Sequence, residues 1–136
     1  MATEYLCKAC RGVLNVKTSI ILAALENNSS KKGIFLLNPE LGNYTVTTHS
    51  TFNMEEGEEY LIKCPICHAH LNSLKYEHLV RIIMKDEQGR EFDIYFSYIV
   101  GEKCTYKISG SSVEKIGPDI KYDRYFDVPE EDRKYL

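Results

Sequence analysis

The sequence predicts a β-rich α+β fold, an antiparallel sheet with one short helix, on three observations. Apolar residues recur at period two through Val80, Ile82 and Met84, through Phe92, Ile94, Phe96 and Tyr98, and through Cys104, Tyr106 and Ile108. Turn-forming runs separate these stretches, among them Asp86-Glu87-Gln88-Gly89 and Ser109-Gly110-Ser111-Ser112. A second hairpin pattern lies upstream, where Ile34-Phe35-Leu36-Leu37 meets the break at residues 38–43 and Tyr44, Val46 and Thr48 then alternate with threonines.

Taken in chain order, the first landmark is Cys7-Lys8-Ala9-Cys10, followed by Arg11-Gly12. Gly12 is expected to supply the positive φ that lets backbone amides point at sulfur. The next stretch reads two ways. Val13, Leu14 and Val16 suit a short strand leaving the turn, and Thr18 or Ser19 suits the cap of a helix running to Leu25 before the loop Asn27-Asn28-Ser29-Ser30; the helix is the favoured reading. The hairpin of residues 34–48 follows. An acidic turn at residues 55–59 then feeds a strand, Tyr60-Leu61-Ile62, straight into Cys64-Pro65-Ile66-Cys67, with a turn of helix expected between Leu71 and His78. The hairpin 80–98 and a strand through Cys104, Tyr106 and Ile108 come next, the latter with Lys103, Thr105 and Lys107 expected to face outward. Gly117-Pro118 ends this unit, so residues 1–118 read as one domain. Residues 119–136 read as a partly extended tail that mixes acids and Pro129 with Tyr122, Tyr125, Phe126 and Tyr135. These rings are expected to dock on the sheet or on a partner. No internal repeat beyond the two Cys-x-x-Cys turns is expected.

Composition sets limits on function. A chain of 136 residues with 43% hydrophobic content can build one modest core. The longest apolar run, residues 20–25, is far too short to cross a bilayer, and the opening Met-Ala-Thr-Glu lacks the pattern of an export signal, so no membrane association and a cytoplasmic location are expected. A formal net charge of −3 disfavours general attraction to nucleic acid.

In a reducing compartment, paired Cys-x-x-Cys turns point to metal or redox chemistry rather than to structural disulfides. Each turn presents two thiolates on one tight loop, and four thiolates close a tetrahedral zinc site, so Cys7, Cys10, Cys64 and Cys67 are the expected ligands of one structural Zn²⁺. Pro65 fixes φ inside the second turn and removes an amide that would need a partner. A dithiol redox role for the second pair would leave Cys7 and Cys10 unused. His68 and His70 are close enough in sequence to replace a cysteine as ligand, although four thiolates do not need them. His49 and His78 read as ordinary polar positions, and Cys104, on the apolar phase of its strand, as a core residue.

The two turns resemble the knuckles of the zinc-ribbon and rubredoxin-like class, over residues 5–12 and about 60–71. That resemblance implies a metal and a local fold, here with residues 12–60 as an elaborated insertion, and no particular activity. Iron is the weaker alternative metal, because His68 stands where that class usually has a glycine and Arg11 precedes Gly12. No nucleophile motif, phosphate loop or carboxylate pair with histidine appears, so no catalytic residues are expected. The expected function is that of a zinc-stabilised protein-interaction or accessory module, with a protein partner or homo-oligomer. A nucleic-acid-binding ribbon and a rubredoxin-like or thiol redox protein are the alternatives.

Overall fold

Ile20, Leu22 and Ala24 are buried, and Ser19, Ile21, Ala23 and Leu25 between them are only partly so. That is the period of a strand, and Ser19–Glu26 forms one, not the helix expected from Thr18 or Ser19 to Leu25. Neighbouring strands occupy both of its edges, and this long-range pairing overrides the local preference.

The computed structural model describes residues 3–16, 19–26, 32–48, 52, 57–99, 101–110, 112–118 and 121–126. The expected loop at 27–30, His49, the acids at 55–56, and the tail beyond Phe126 with Pro129 and Tyr135 lie outside the described residues. The strands are β1 (Glu4–Leu6), β2 (Asn15–Val16), β3 (Ser19–Glu26), β4 (Lys32–Leu37), β5 (Val46–Thr48), β6 (Tyr60–Lys63), β7 (Leu79–Lys85), β8 (Glu91–Ser97), β9 (Thr105–Ser109) and β10 (Ser112–Ile116). The β-rich antiparallel expectation is met, and the only helical element among the described residues is a 3-10 turn, Asp123–Tyr125.

The strands form two five-stranded sheets. One runs β1-β7-β8-β9-β10; the other runs β2-β3-β4-β5, with β6 also on β3. Because β4 takes one edge of β3 along Ile20 to Leu25, β2 and β6 must share the other edge end to end. The inner faces meet in one core, to which β3, β4 and β6 bring Leu22, Phe35 and Ile62, and β1, β7 and β8 bring Tyr5, Ile82 and Ile94. A cavity of about 250 Å³ remains between the sheets, where Leu37 and Val46 stand across from Phe96 and Thr105.

These pairings reveal an internal duplication that the sequence reading did not expect. In residues 3–48, β3 carries β4 with Ile20 opposite Leu37, and β4 carries β5 with Leu37 opposite Val46. In residues 60–107, β7 carries β8 with Val80 opposite Phe96, and β8 carries β9 with Phe96 opposite Thr105. The strands that enter the Cys-x-x-Cys turns are exchanged. β1 lies on β7 with Tyr5 opposite Met84, and β6 lies on β3 with Ile62 opposite Ala24. Each half thus lends its first strand to the other half's sheet.

Two local expectations are corrected. Thr105 is buried and opposite Phe96, on the face turned to the other sheet, and Lys107 lays its ammonium 4.3 Å from the Phe92 ring centre on that same face. Both faces of β9 are covered, so its apolar phase does not choose the inter-sheet side. Between Leu71 and His78 there is no helical turn: the Ser73 hydroxyl accepts the amides of Lys75 and Tyr76 at 3.2 and 3.0 Å, which diverts the backbone from helical bonding.

Candidate metal centre

The two Cys-x-x-Cys turns share the same main-chain hydrogen bonds. In the first, the Cys7 amide donates to the Gly12 carbonyl at 3.0 Å and the Arg11 amide to the Cys7 carbonyl at 2.9 Å. In the second, the Cys64 amide donates to the Ala69 carbonyl at 3.0 Å and the His68 amide to the Cys64 carbonyl at 2.9 Å. The first cysteine of each pair is fully buried and the second exposed. Amides converge on the buried sulfurs, those of Ala9 and Cys10 on Cys7 Sγ at 3.3 and 3.5 Å, and those of Ile66 and Cys67 on Cys64 Sγ at the same distances. Such donors stabilise thiolate over thiol.

The positive φ expected of Gly12 falls one residue earlier, on Arg11 at 59°, and its counterpart is His68 at 65°. Gly12 serves instead for close approach: a Cβ there would sit 2.6 Å from Ile66 Cδ1 of the other turn and 3.2 Å from Cys10 Sγ. The two turns are pressed together at that point.

The equivalence continues past the cysteines into a clamp that sequence reasoning missed. Asn15 Oδ1 accepts the Tyr5 amide at 2.8 Å while its Nδ2 donates to the Thr3 carbonyl at 3.1 Å. Asn72 does the same for the Ile62 amide, at 2.7 Å, and the Tyr60 carbonyl, at 3.3 Å. Each side-chain amide replaces a missing neighbour strand along the entry strand, and Leu14 and Leu71, just before, are buried anchors. The signal was present as Cys-x-x-Cys-x-x-x-Leu-Asn, which occurs at residues 7–15 and again at 64–72.

Together the turns bring the four thiols within 4.8 Å of one another, with Cys7 Sγ 3.8 Å from Cys67 Sγ and Cys10 Sγ 3.8 Å from Cys64 Sγ. These pairs are too far apart for disulfides, whose sulfurs lie about 2.05 Å apart. They match the edge of a tetrahedron with metal–sulfur bonds of about 2.3 Å, which is about 3.8 Å. The donor set therefore fits a tetrahedral ion. Burial pushes the Cys64 thiol up to about 12, and although burial also opposes ionisation at Cys7, the Cys10 and Ala9 amides hold that thiol below its ordinary value. Four thiols crowded this closely ionise together only around a cation.

Among the described residues no histidine joins this group. His68 occupies the left-handed position of its turn, and His78 places Nε2 3.3 Å from Glu59 and edges onto the Tyr98 ring. Cys104 is buried in a separate cluster with Tyr106 and Tyr122. Two of the basic residues near the turns are paired with acids, Arg11 with Glu91 and Arg81 with Asp93 at 2.9 Å. No protein-family model, curated protein or solved structure matches the chain. Among the described residues no helix is long and apolar enough to cross a membrane.

Proposed function

We propose that this chain is a structural zinc-binding protein that acts in the cytoplasm as a protein-interaction or accessory module without catalytic activity of its own. The observation that carries the reading is the four-thiol cluster, in which each half of the duplication contributes one buried and one exposed cysteine at tetrahedral spacing. A closed set of four thiolates suits a structural zinc ion and leaves no open position for substrate. The ion would tie the two halves together where Gly12 already abuts Ile66. Free thiols in this number suit a reducing compartment. The net charge of −3 and the acidic partners of Arg11 and Arg81 favour a protein partner over nucleic acid.

Metal analysis of the purified protein is the test. About one zinc per chain is expected, and Cys64→Ser should lower both metal content and the yield of folded protein, because binding and folding of such a site are coupled. Stable folding without metal overturns the structural role; a stoichiometric iron signal overturns the choice of zinc.

A further inference from the structure

The duplication also shapes the cavity between the sheets. Its walls come from the two halves in equivalent pairs, Phe35 with Ile94, Leu37 with Phe96 and Val46 with Thr105, as the matched pairings of β4 and β5 with those of β8 and β9 require. The connections from Leu37 to Val46 and from Phe96 to Thr105 are of equal length and frame its mouth, and Gly42 and Gly101 stand at matching places in them, each with φ 94°. Val46 is 47% exposed and Leu37 and Phe96 are partly so, while Phe35, Ile62, Ile82 and Ile94 are buried. The cavity therefore runs from the core out to the surface. The described residues along it include none of the four cysteines of the metal centre.

We propose that this cavity is a binding site for an uncharged, mainly apolar molecule of about ten non-hydrogen atoms, lodged between the sheets with one polar end at the mouth. Native interiors leave few voids larger than a water molecule. Here both halves leave space in the same way, since each pairs a large side chain, Leu37 or Phe96, with a small one, Val46 or Thr105. The size of the occupant follows from the volume. An apolar cavity of about 150 Å³ takes up the six carbons of benzene, so one of about 250 Å³ holds on the order of ten.

The lining grades from apolar to polar along its length. At the inner end Phe35, Ile62, Ile82 and Ile94 offer no hydrogen bond, and the hydroxyl of Tyr5 beside them is already donated to the Pro39 carbonyl at 2.5 Å. At the outer end stand Asn43 and the hydroxyls of Tyr44 and Thr105, 3.1 Å apart. These suit a hydroxyl or an amide. A charged end suits them less, because Glu40 and Glu102 outnumber Lys103 at the mouth and oppose a carboxylate, and Glu102 is already engaged by Ser97, Tyr122 and Lys121. A charge drawn between the sheets would also lose its hydration.

The test titrates the full chain as purified with linear 1-alcohols from hexanol to dodecanol, followed by calorimetry and methyl NMR, with metal content measured on the same samples. Each added methylene should tighten binding about fourfold up to octanol or decanol and no further, because the cavity is then full. Shifts should gather on the methyls of Ile20, Val46 and Ile94 and spare those of Leu74, which is fully exposed and off the lining. Val46→Phe should occupy the outer end and weaken octanol on the order of tenfold, with circular dichroism and metal content unchanged. Octanoate should bind more weakly than octanol. Lack of saturable binding, which follows if residues outside the described set fill the space, overturns the proposal. So does an affinity that climbs steadily through dodecanol, the mark of surface adsorption, or octanol binding that Val46→Phe leaves intact. Octanoate tighter than octanol overturns the uncharged class. The chain-length limit is read on the wild type, so it decides the matter even where Val46→Phe fails to fold.

Discussion

The outer faces of the two sheets are the most informative comparison in the molecule, because matched registers make them equivalent by position while their surroundings differ. After β9 the chain continues into β10 and folds back, so that Phe126 reaches the rings of Tyr76, Tyr95 and Tyr106, with the centroids of Phe126 and Tyr106 4.4 Å apart, and Tyr122 reaches that of His78. After β5 the chain returns to the core as β6 and the second Cys-x-x-Cys turn, and Ile34 on the outer face stays 54% exposed. One duplicated unit is therefore finished within the chain, and the other presents Ile34 and its neighbours at the surface. Equivalence of fold does not bring equivalence of burial.

The covered side is held by a buried ion pair, and breaking it should have the largest effect. Lys115 Nζ lies 2.9 Å from Asp123 Oδ1, which also accepts the Tyr106 hydroxyl at 2.8 Å, and the two charged side chains are 0% and 4% exposed. Asp123→Ala leaves the lysine buried without its counter-charge and should cost about 3–5 kcal/mol in urea unfolding. Hydrogen exchange should then show β8 and β9 loosening while β3 and β4 keep their protection. Equal loosening of both sheets would mean that the final segment stabilises the whole sandwich and not one face.

The Asn15 and Asn72 clamps probe the parts in which the halves agree. Each substitution to alanine strips an entry-strand amide of its acceptor and should cost about 1–3 kcal/mol. The two losses should match closely, and a large disparity would show that the likeness of the two clamps is not an energetic one.

The smallest expected effect is on pH dependence and concerns Glu102, which anchors the final segment from the β8–β9 loop. Burial alone would raise its pKa, but hydrogen bonds from Ser97, Tyr122 and Lys121 outweigh burial and hold the carboxyl below its ordinary value. A carboxyl lowered by folding contributes stability at pH above the unfolded value of about 4.3 and loses it as pH falls through the lower folded value. Glu102→Gln should therefore be less stable than the wild type at neutral pH and should flatten the acid limb of the stability curve. An acid limb as steep as that of the wild type would assign it to other carboxylates.

Much of the fold was legible because short-range alternation carries it. The hairpin of β7 and β8, the strand leading into Cys64 and the pairing of β4 with β5 follow from period-two patterns and intervening turns. The residues 19–26 did not follow, since a run such as Ile20-Ile21-Leu22-Ala23-Ala24-Leu25 is apolar on both phases and suits either element until neighbours pair with it. Gly12 misled for a related reason. Glycine suits both a positive φ and a close approach, and only the position of Ile66 shows which one is used.

The sequence by itself determined the ingredients of the centre: two Cys-x-x-Cys turns, each followed by Leu-Asn, and the strands that enter them. Those are local chemistry, set by spacing along the chain. Only the tertiary structure decided that the turns belong to two interlocked copies of one unit, that the copies exchange their first strands, and that the outer face of one sheet is covered by Tyr122 and Phe126. Pairing partners and covered faces depend on which segments meet across tens of residues. Neither face of a strand that is apolar on both sides announces its neighbour, so that information appears only when the chain is folded.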